Sequence, residues 1–359
     1  MIDDGSTTPP PPPPPAPAPG GTNCLTGTAT FYSTSGFGSQ NWPPACWRPF
    51  GDTTPFNQRL SASSRLLPNS AQMVSNLMSI GQINNGRAGI ADTCEDWQKA
   101  TFWAKDSDPL WRIQGGSTVA PYNIDGAQIR MPASAHPAGC TQAGGSDRHL
   151  AIVYEGYEYG MWNVTIDATN HIIYPETGRK VQVSGDGLNA SCTNARFACL
   201  AGQVRYQELA AGRIDHALFA TTNHLRTGYA YPAKQGSTNN GSLGSDWPQN
   251  GTRMQLDPSY ATDQWLAQFP VWKQGILRAM RDYGAYFGDD SGSPLSVASF
   301  ESGTSYTAFG LPDPFKQYAQ DHIGQNISQS GGIYYFDLRS GVDWSHLRVI
   351  DTCVTMRTC

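Results

Sequence analysis

Glycine and proline punctuate this chain more heavily than any other feature: 38 glycines and 26 prolines among 359 residues leave few stretches long enough for a helix. Glycine releases regular backbone and proline blocks it, so the segments between them are short, and short segments pack most readily as strands. Only two windows hold a sustained helical period. Residues 70–80 place Met73, Val74, Leu77 and Met78 on one face behind Ser70 as an N-cap, and residues 271–283 align Ile276, Leu277, Met280 and Tyr283 before Gly284. A helical turn at 208–212, closed by Gly212, adds a third short piece. Strand-like segments recur at 28–32, 100–104, 110–113, 127–131, 149–154, 157–166, 214–221 and 285–288, the fifth and sixth of these, around Glu155-Gly156, reading as a hairpin. The expectation is a mostly β fold, a β-sandwich or jelly-roll-like sheet pair with a few surface helices.

Pro9 to Pro15 form an unbroken run followed by Ala-Pro-Ala-Pro-Gly-Gly, a stiff polyproline spacer with a flexible end. We expect residues 1–22 to be a linker whose upstream module is missing and residues 23–359 to form a single domain. Met1-Ile2-Asp3-Asp4 is neither basic nor apolar, so an export signal is expected to have been removed.

Eight cysteines stand at 24, 46, 94, 140, 192, 199, 353 and 359, without the paired spacing of a zinc site. Disulfides are the natural reading, with local bridges Cys192–Cys199 and Cys353–Cys359, and three connectivities open for the rest. An oxidising, extracellular location follows as an expectation. The sequons at Asn163, Asn189, Asn240, Asn250 and Asn326 matter only where a host glycosylates.

The formal charge of −5 is spread without long runs of one sign, which argues against nucleic acid as a partner. No apolar run is long enough to span a membrane. We expect a monomer.

Chemistry concentrates in three places. Asp147-Arg148-His149 opens an apolar strand, with small Ala151 and Val153 on the His149 face. The return strand alternates Glu158, Gly160 and Trp162 against Tyr157, Tyr159 and Met161. A carboxylate, an open glycine and an indole on one face suit a sugar ring. Next, Arg213-Ile-Asp215-His216 places a histidine on an apolar strand face, where neighbouring Asp215 cannot orient it. Last, Asp289-Asp290 sits where a strand runs into a loop, a pattern shared by turns and calcium loops.

The order of Arg48-Pro-Phe-Gly-Asp-Thr-Thr-Pro-Phe-Asn57, Asp147-Arg-His149, Ala210-Ala-Gly-Arg-Ile-Asp-His216-Ala-Leu, Gly251-Thr-Arg-Met-Gln-Leu256 and Tyr283-Gly-Ala-Tyr-Phe-Gly-Asp-Asp290 resembles a largely uncharacterised group of secreted bacterial and fungal proteins. The resemblance spans about residues 47 to 300 and is most specific at Ala-Gly-x-Ile-x-His-Ala-Leu. It implies secretion and one domain, and carries no reaction.

From the residues, the expected function is a secreted carbohydrate-active enzyme that hydrolyses a polysaccharide. Glu158 would be the acid, paired with Asp147 or Asp290, with His149 and His216 tuning them. Trp162, Tyr159, Arg148 and Arg213 would bind substrate. One rival is a polysaccharide lyase with His149 or His216 as base and Tyr159 as proton donor. Another is a non-catalytic glycan-binding module. No cofactor is expected, although Asp289-Asp290 leaves room for a structural calcium and the histidines for a metal.

Overall fold

A computed structural model describes residues 43, 45–89, 99–139, 147–238 and 241–355. The proline-rich linker, the expected strand at 28–32 and Cys24, Cys94, Cys140 and Cys359 lie outside the described residues. Cys192 and Cys199 are bridged as expected. Cys46 and Cys353 are also disulfide-bonded, while the expected Cys353–Cys359 pairing falls on a residue outside the description.

The described chain is mostly sheet with few helices. Helix α1 (Ser70–Ser79) and strand β1 (Gly86–Ala88) precede a six-stranded sheet made of β2 (Ala100–Trp103), β3 (Leu110–Ile113), β4 (Gln128–Arg130), β5 (Leu150–Tyr154), β6 (Tyr157–Asp167) and β7 (Ile172–Gln182). Its spatial order is β2-β5-β6-β7-β3-β4. The β5–β6 hairpin pairs antiparallel from Leu150↔Met161 to Tyr154↔Tyr157, with Glu155 and Gly156 both at positive φ in the turn. At its outer edges the sheet is mixed, since β2 runs parallel to β5 and β3 parallel to β7.

After β8 (Gln203–Val204) comes α2 (Tyr206–Ala211), released by Gly212 in the left-handed region at φ 61°. A four-stranded sheet follows, assembled from β9 (Leu218–Thr222), β10 (Arg253–Leu256), β11 (Ala285–Asp290) and, later in the chain, β15 (Leu347–Ile350), in the order β15-β10-β11-β9. Helix α3 (Val271–Asp282) links β10 to β11 and buries Trp272, Ile276, Leu277 and Met280. Strand β12 (Ser299–Phe300) pairs with β8, and β13 (Ile327–Ser330) and β14 (Ile333–Phe336) pair beside β1.

Three packed regions hold these pieces together. One gathers α1, α3 and β14 around Trp272, Phe287 and Phe336. A second lies under the outer face of the six-stranded sheet, around Phe102, Ile152 and Tyr159. The third joins the two larger sheets: Trp103, Val153 and Val181 from one meet Phe219 and Tyr286 from the other, with Phe197 between them. Phe56, Phe197 and Tyr286 interlock there edge to face, with centroids 5.0 to 6.3 Å apart.

One local expectation needs correcting. Ser70 does not cap α1: Asn69 holds the N-cap position, and the Ser70 hydroxyl instead accepts the Val349 backbone N–H at 2.8 Å. Serine serves there as a tie between helix and sheet.

Candidate functional site

The third packed region becomes polar at one end. Register places Ala100 beside Leu150, and Leu150 beside Met161. Alternation therefore sets Lys99, His149, Ala151, Gly160 and Glu158 on one sheet face. That face is covered by the loop closed by the Cys192–Cys199 disulfide, whose two cysteines pack on Ala151. Beyond the loop stands β11 with Asp289 and Asp290.

Glu158 is completely buried, and its carboxylate accepts the backbone N–H groups of Cys199 at 2.6 Å and Leu200 at 2.9 Å. Burial pushes its pKa up to about 7 against the pull of those two donors and of Lys99. The raised value agrees with expectation; the surroundings do not. Both oxygens are occupied by protein, and the space above Gly160 is filled by Cys192, whose Cβ would lie 3.4 Å from an added methyl. A sugar ring expected on that glycine is replaced by the disulfide loop.

Lys99 is the hub. Its Nζ lies 3.2 Å from the centroid of the Phe219 ring and has no hydrogen-bond partner among the described residues. Burial draws its pKa down to about 7, opposed by the charges of Asp289 and Glu158. Asp289 moves to the same value from the other side: burial raises it to about 7, Lys99 and the Asn194 N–H (3.3 Å) pull it down, and Asp147 and Asp290 push it up. Each group thus opposes the burial shift of the other through its charge.

His149 is buried, its Nδ1 without a hydrogen-bond partner among the described residues, and its Nε2 stands 3.9 Å from Asp147 Oδ2. Burial first, then Lys99, lowers its pKa to about 3, so the imidazole is neutral at ordinary pH. Asp147 itself reaches solvent, with its side chain 48% exposed, and accepts the half-buried Trp162 indole N–H at 3.4 Å. Asp290 Oδ2 accepts from the Asn194 side chain at 3.1 Å. The expected residues Asp147, His149, Glu158, Trp162 and Asp290 thus share one region with Lys99, Asp289 and Asn194.

The others lie apart from it. Tyr159 faces the opposite side of the sheet, packed with Ile152 and Met161, and burial raises its hydroxyl to about 12. It cannot partner His149 as the proton donor expected for a lyase. Arg148, at φ 44°, donates Nε–H to the Val164 carbonyl at 2.7 Å. Arg213 pairs with Asp215 at 2.6 Å on the surface. His216 is buried, with Nδ1 2.9 Å from the Ala217 carbonyl and Nε2 3.2 Å from Glu208 Oε1, which Arg205 also engages at 3.0 Å. Asp215 indeed does not orient His216; Glu208 does. This trio ties α2 to β9 rather than lining the Lys99 cluster.

Among the described residues, no group of three or more His, Cys, Asp or Glu side chains is disposed to hold a metal ion. A polar surface cavity of about 550 Å³ lies elsewhere, lined by Asn85, Asn326, Asp337 and Arg339 among others. Its Asp337 is held below the usual carboxylate range by Ser340 and backbone donors, so that cavity offers no proton near neutrality. Comparison with protein-family models, curated proteins and solved structures returned no match.

Proposed function

We propose that this chain is a secreted carbohydrate-active enzyme that hydrolyses glycosidic bonds in a polysaccharide, with Asp289 as the proton donor. The observation that carries the reading is the cluster in which buried Lys99 and Asp289 lie within electrostatic reach of each other and of Asp147, which reaches solvent and accepts the Trp162 indole N–H. Asp289 is half-buried and lies at the end of its strand, whereas Glu158 is sealed under the disulfide loop. In hydrolysis the Asp289 proton passes to the glycosidic oxygen as the carbon–oxygen bond breaks. Asp147 faces the anomeric carbon, directly or through the attacking water; solvent returns a proton to Asp289, and the Lys99 charge stabilises the carboxylate left behind. Trp162 offers an aromatic surface for a pyranose ring. The buried disulfide supports secretion, and the two larger sheets facing each other across the cluster support a sandwich-like reading of the fold. The protein would act as a monomer on a polysaccharide, without cofactor or nucleic acid.

One observation favours a second reading, a polysaccharide lyase: the imidazole of His149 is neutral, with Asp147 on its Nε2 side, and so can take up a proton. The placement of Tyr159 on the far face weighs against it. A panel of neutral and uronate-containing polysaccharides, incubated with the full chain, separates the two. Hydrolysis releases new reducing ends without ultraviolet absorbance; elimination releases both. New absorbance in step with reducing ends would replace our reading with the lyase, and neither signal on any glycan would leave a binding module.

A further inference from the structure

The geometry points to the loop closed by Cys192 and Cys199 as the positioning element of the carboxylate site, with Asn194 holding its Asp289–Asp290 side; this rests on the reading of that cluster as the acid–base site. Glu158 comes from β6 and the two aspartates from β11, in sheets that share no hydrogen-bonded ladder. Neither sheet alone can therefore set the spacing between them. The loop is bonded to both. At one end the N–H groups of Cys199 and Leu200 donate to Glu158. At the other, the Asn194 N–H donates to Asp289 at 3.3 Å, its side-chain amide to Asp290 at 3.1 Å, and the Ala195 N–H to the Gly288 carbonyl at 2.9 Å.

Between these ends the loop is braced against itself. Besides the disulfide, Phe197 N–H donates to Thr193 Oγ1 at 2.9 Å, Arg196 N–H to the Thr193 carbonyl at 3.0 Å, and the Arg196 guanidinium to Ser191 Oγ at 2.9 Å. Both cysteines have no exposed surface, and Cys192 seats against Gly160, where an added Cβ would meet Glu158 Oε1 at 3.1 Å. A short braced loop with donors at both ends fixes the carboxylates as a set.

The test uses the full chain with its aspartate and glutamate carboxyls carbon-13 labelled, assigned by Asp289→Asn and Glu158→Gln. In Cys192→Ala/Cys199→Ala the loop opens and water reaches both sides. The titration midpoints of Glu158 and Asp289 should then fall together by about one unit or more toward ordinary carboxyls, because burial is what raised them. On a cleaved glycan the same variant should lose roughly tenfold or more in kcat, with KM within about threefold. Asn194→Ala keeps the disulfide and the backbone donors and removes the amide on Asp290 together with the acceptor of the exposed Gln235 side chain, so the Asp290 midpoint should rise while Glu158 stays. A folded double variant in which neither carboxyl shifts, or only one does, would overturn the proposal. If the double variant does not fold, an unmoved Asp290 midpoint in Asn194→Ala overturns it instead. The titrations need no substrate. A joint shift in a protein that cleaves no glycan keeps the positioning loop and removes only the hydrolase reading.

Discussion

A neutral histidine buried beside an amine leaves a signature in acid. Unfolded, His149 takes up a proton below about pH 6.5; folded, it does so only near pH 3. Between those values the unfolded chain holds the extra proton, so the stability linked to the neutral imidazole is fully present above the unfolded value and is lost as the pH falls toward 3. Glu158 and Asp289 act in the opposite sense: their folded pKa values are raised to about 7, so native protein holds protons that the unfolded chain has released, and this contribution declines as pH rises toward 7. Those two groups remain in His149→Asn, so the difference between the proteins isolates the imidazole. Urea unfolding at neutral pH and at about pH 4 should show the native protein losing on the order of 2–3 kcal/mol more than the variant between the two conditions. Equal losses would mean that the imidazole is hydrated or charged in the folded chain.

At the level of elements, the site depends on a bulge in β11. Pairing of β11 with β9 skips Gly288, so that Phe287 faces Ala220 and Asp289 faces Thr221. The skipped residue resets the alternation that delivers Asp289 and Asp290. It must also be small, because a Cβ on Gly288 would lie 2.0 Å from the Phe219 ring. That ring is the one under the Lys99 amine, so Gly288→Ala presses on the cluster from behind. Thermal unfolding should show a loss of about 1–3 kcal/mol, the usual cost of overpacking, with reduced glycan turnover. An unchanged melting midpoint would mean that Phe219 moves freely and does not define the seat of Lys99.

For the whole molecule, strands with clear alternation and bounded ends were legible. Residues 110–113 match β3, and the hairpin of β5 and β6 appears with its turn at Glu155-Gly156. The segment forming β7 does not read as a strand from sequence, because Pro175 and Gly178 within Ile172–Gln182 mimic loop signals. Alternation within each strand is legible, but which face of one strand meets which of the other is not; the hairpin register sets Glu158 on the His149 face. Sequence could not show that a disulfide loop covers that face, because contacts between Gly160 and Cys192 depend on how two separate sheets stack. Lys99 is legible only by the signal that marks Asp147-Arg148-His149, a charged residue at the mouth of an apolar strand, here Ala-Thr-Phe-Trp. His216 shows the converse. Its neighbours in sequence suggested a site, and Glu208, brought in by the α2 turn, makes it part of a buried brace.

The central claim is that Asp289 donates the proton, and Asp289→Asn tests it most directly. This change keeps the side chain's size while removing its titration. On whichever glycan the full chain cleaves, the variant should remain folded by circular dichroism and lose a factor on the order of 10² to 10⁴ in kcat, the usual contribution of general acid catalysis. The limb of the pH–rate profile near pH 7 that belongs to Asp289 should vanish with it. An Asp289→Asn protein that cleaves at the native rate with an unchanged profile would contradict the account.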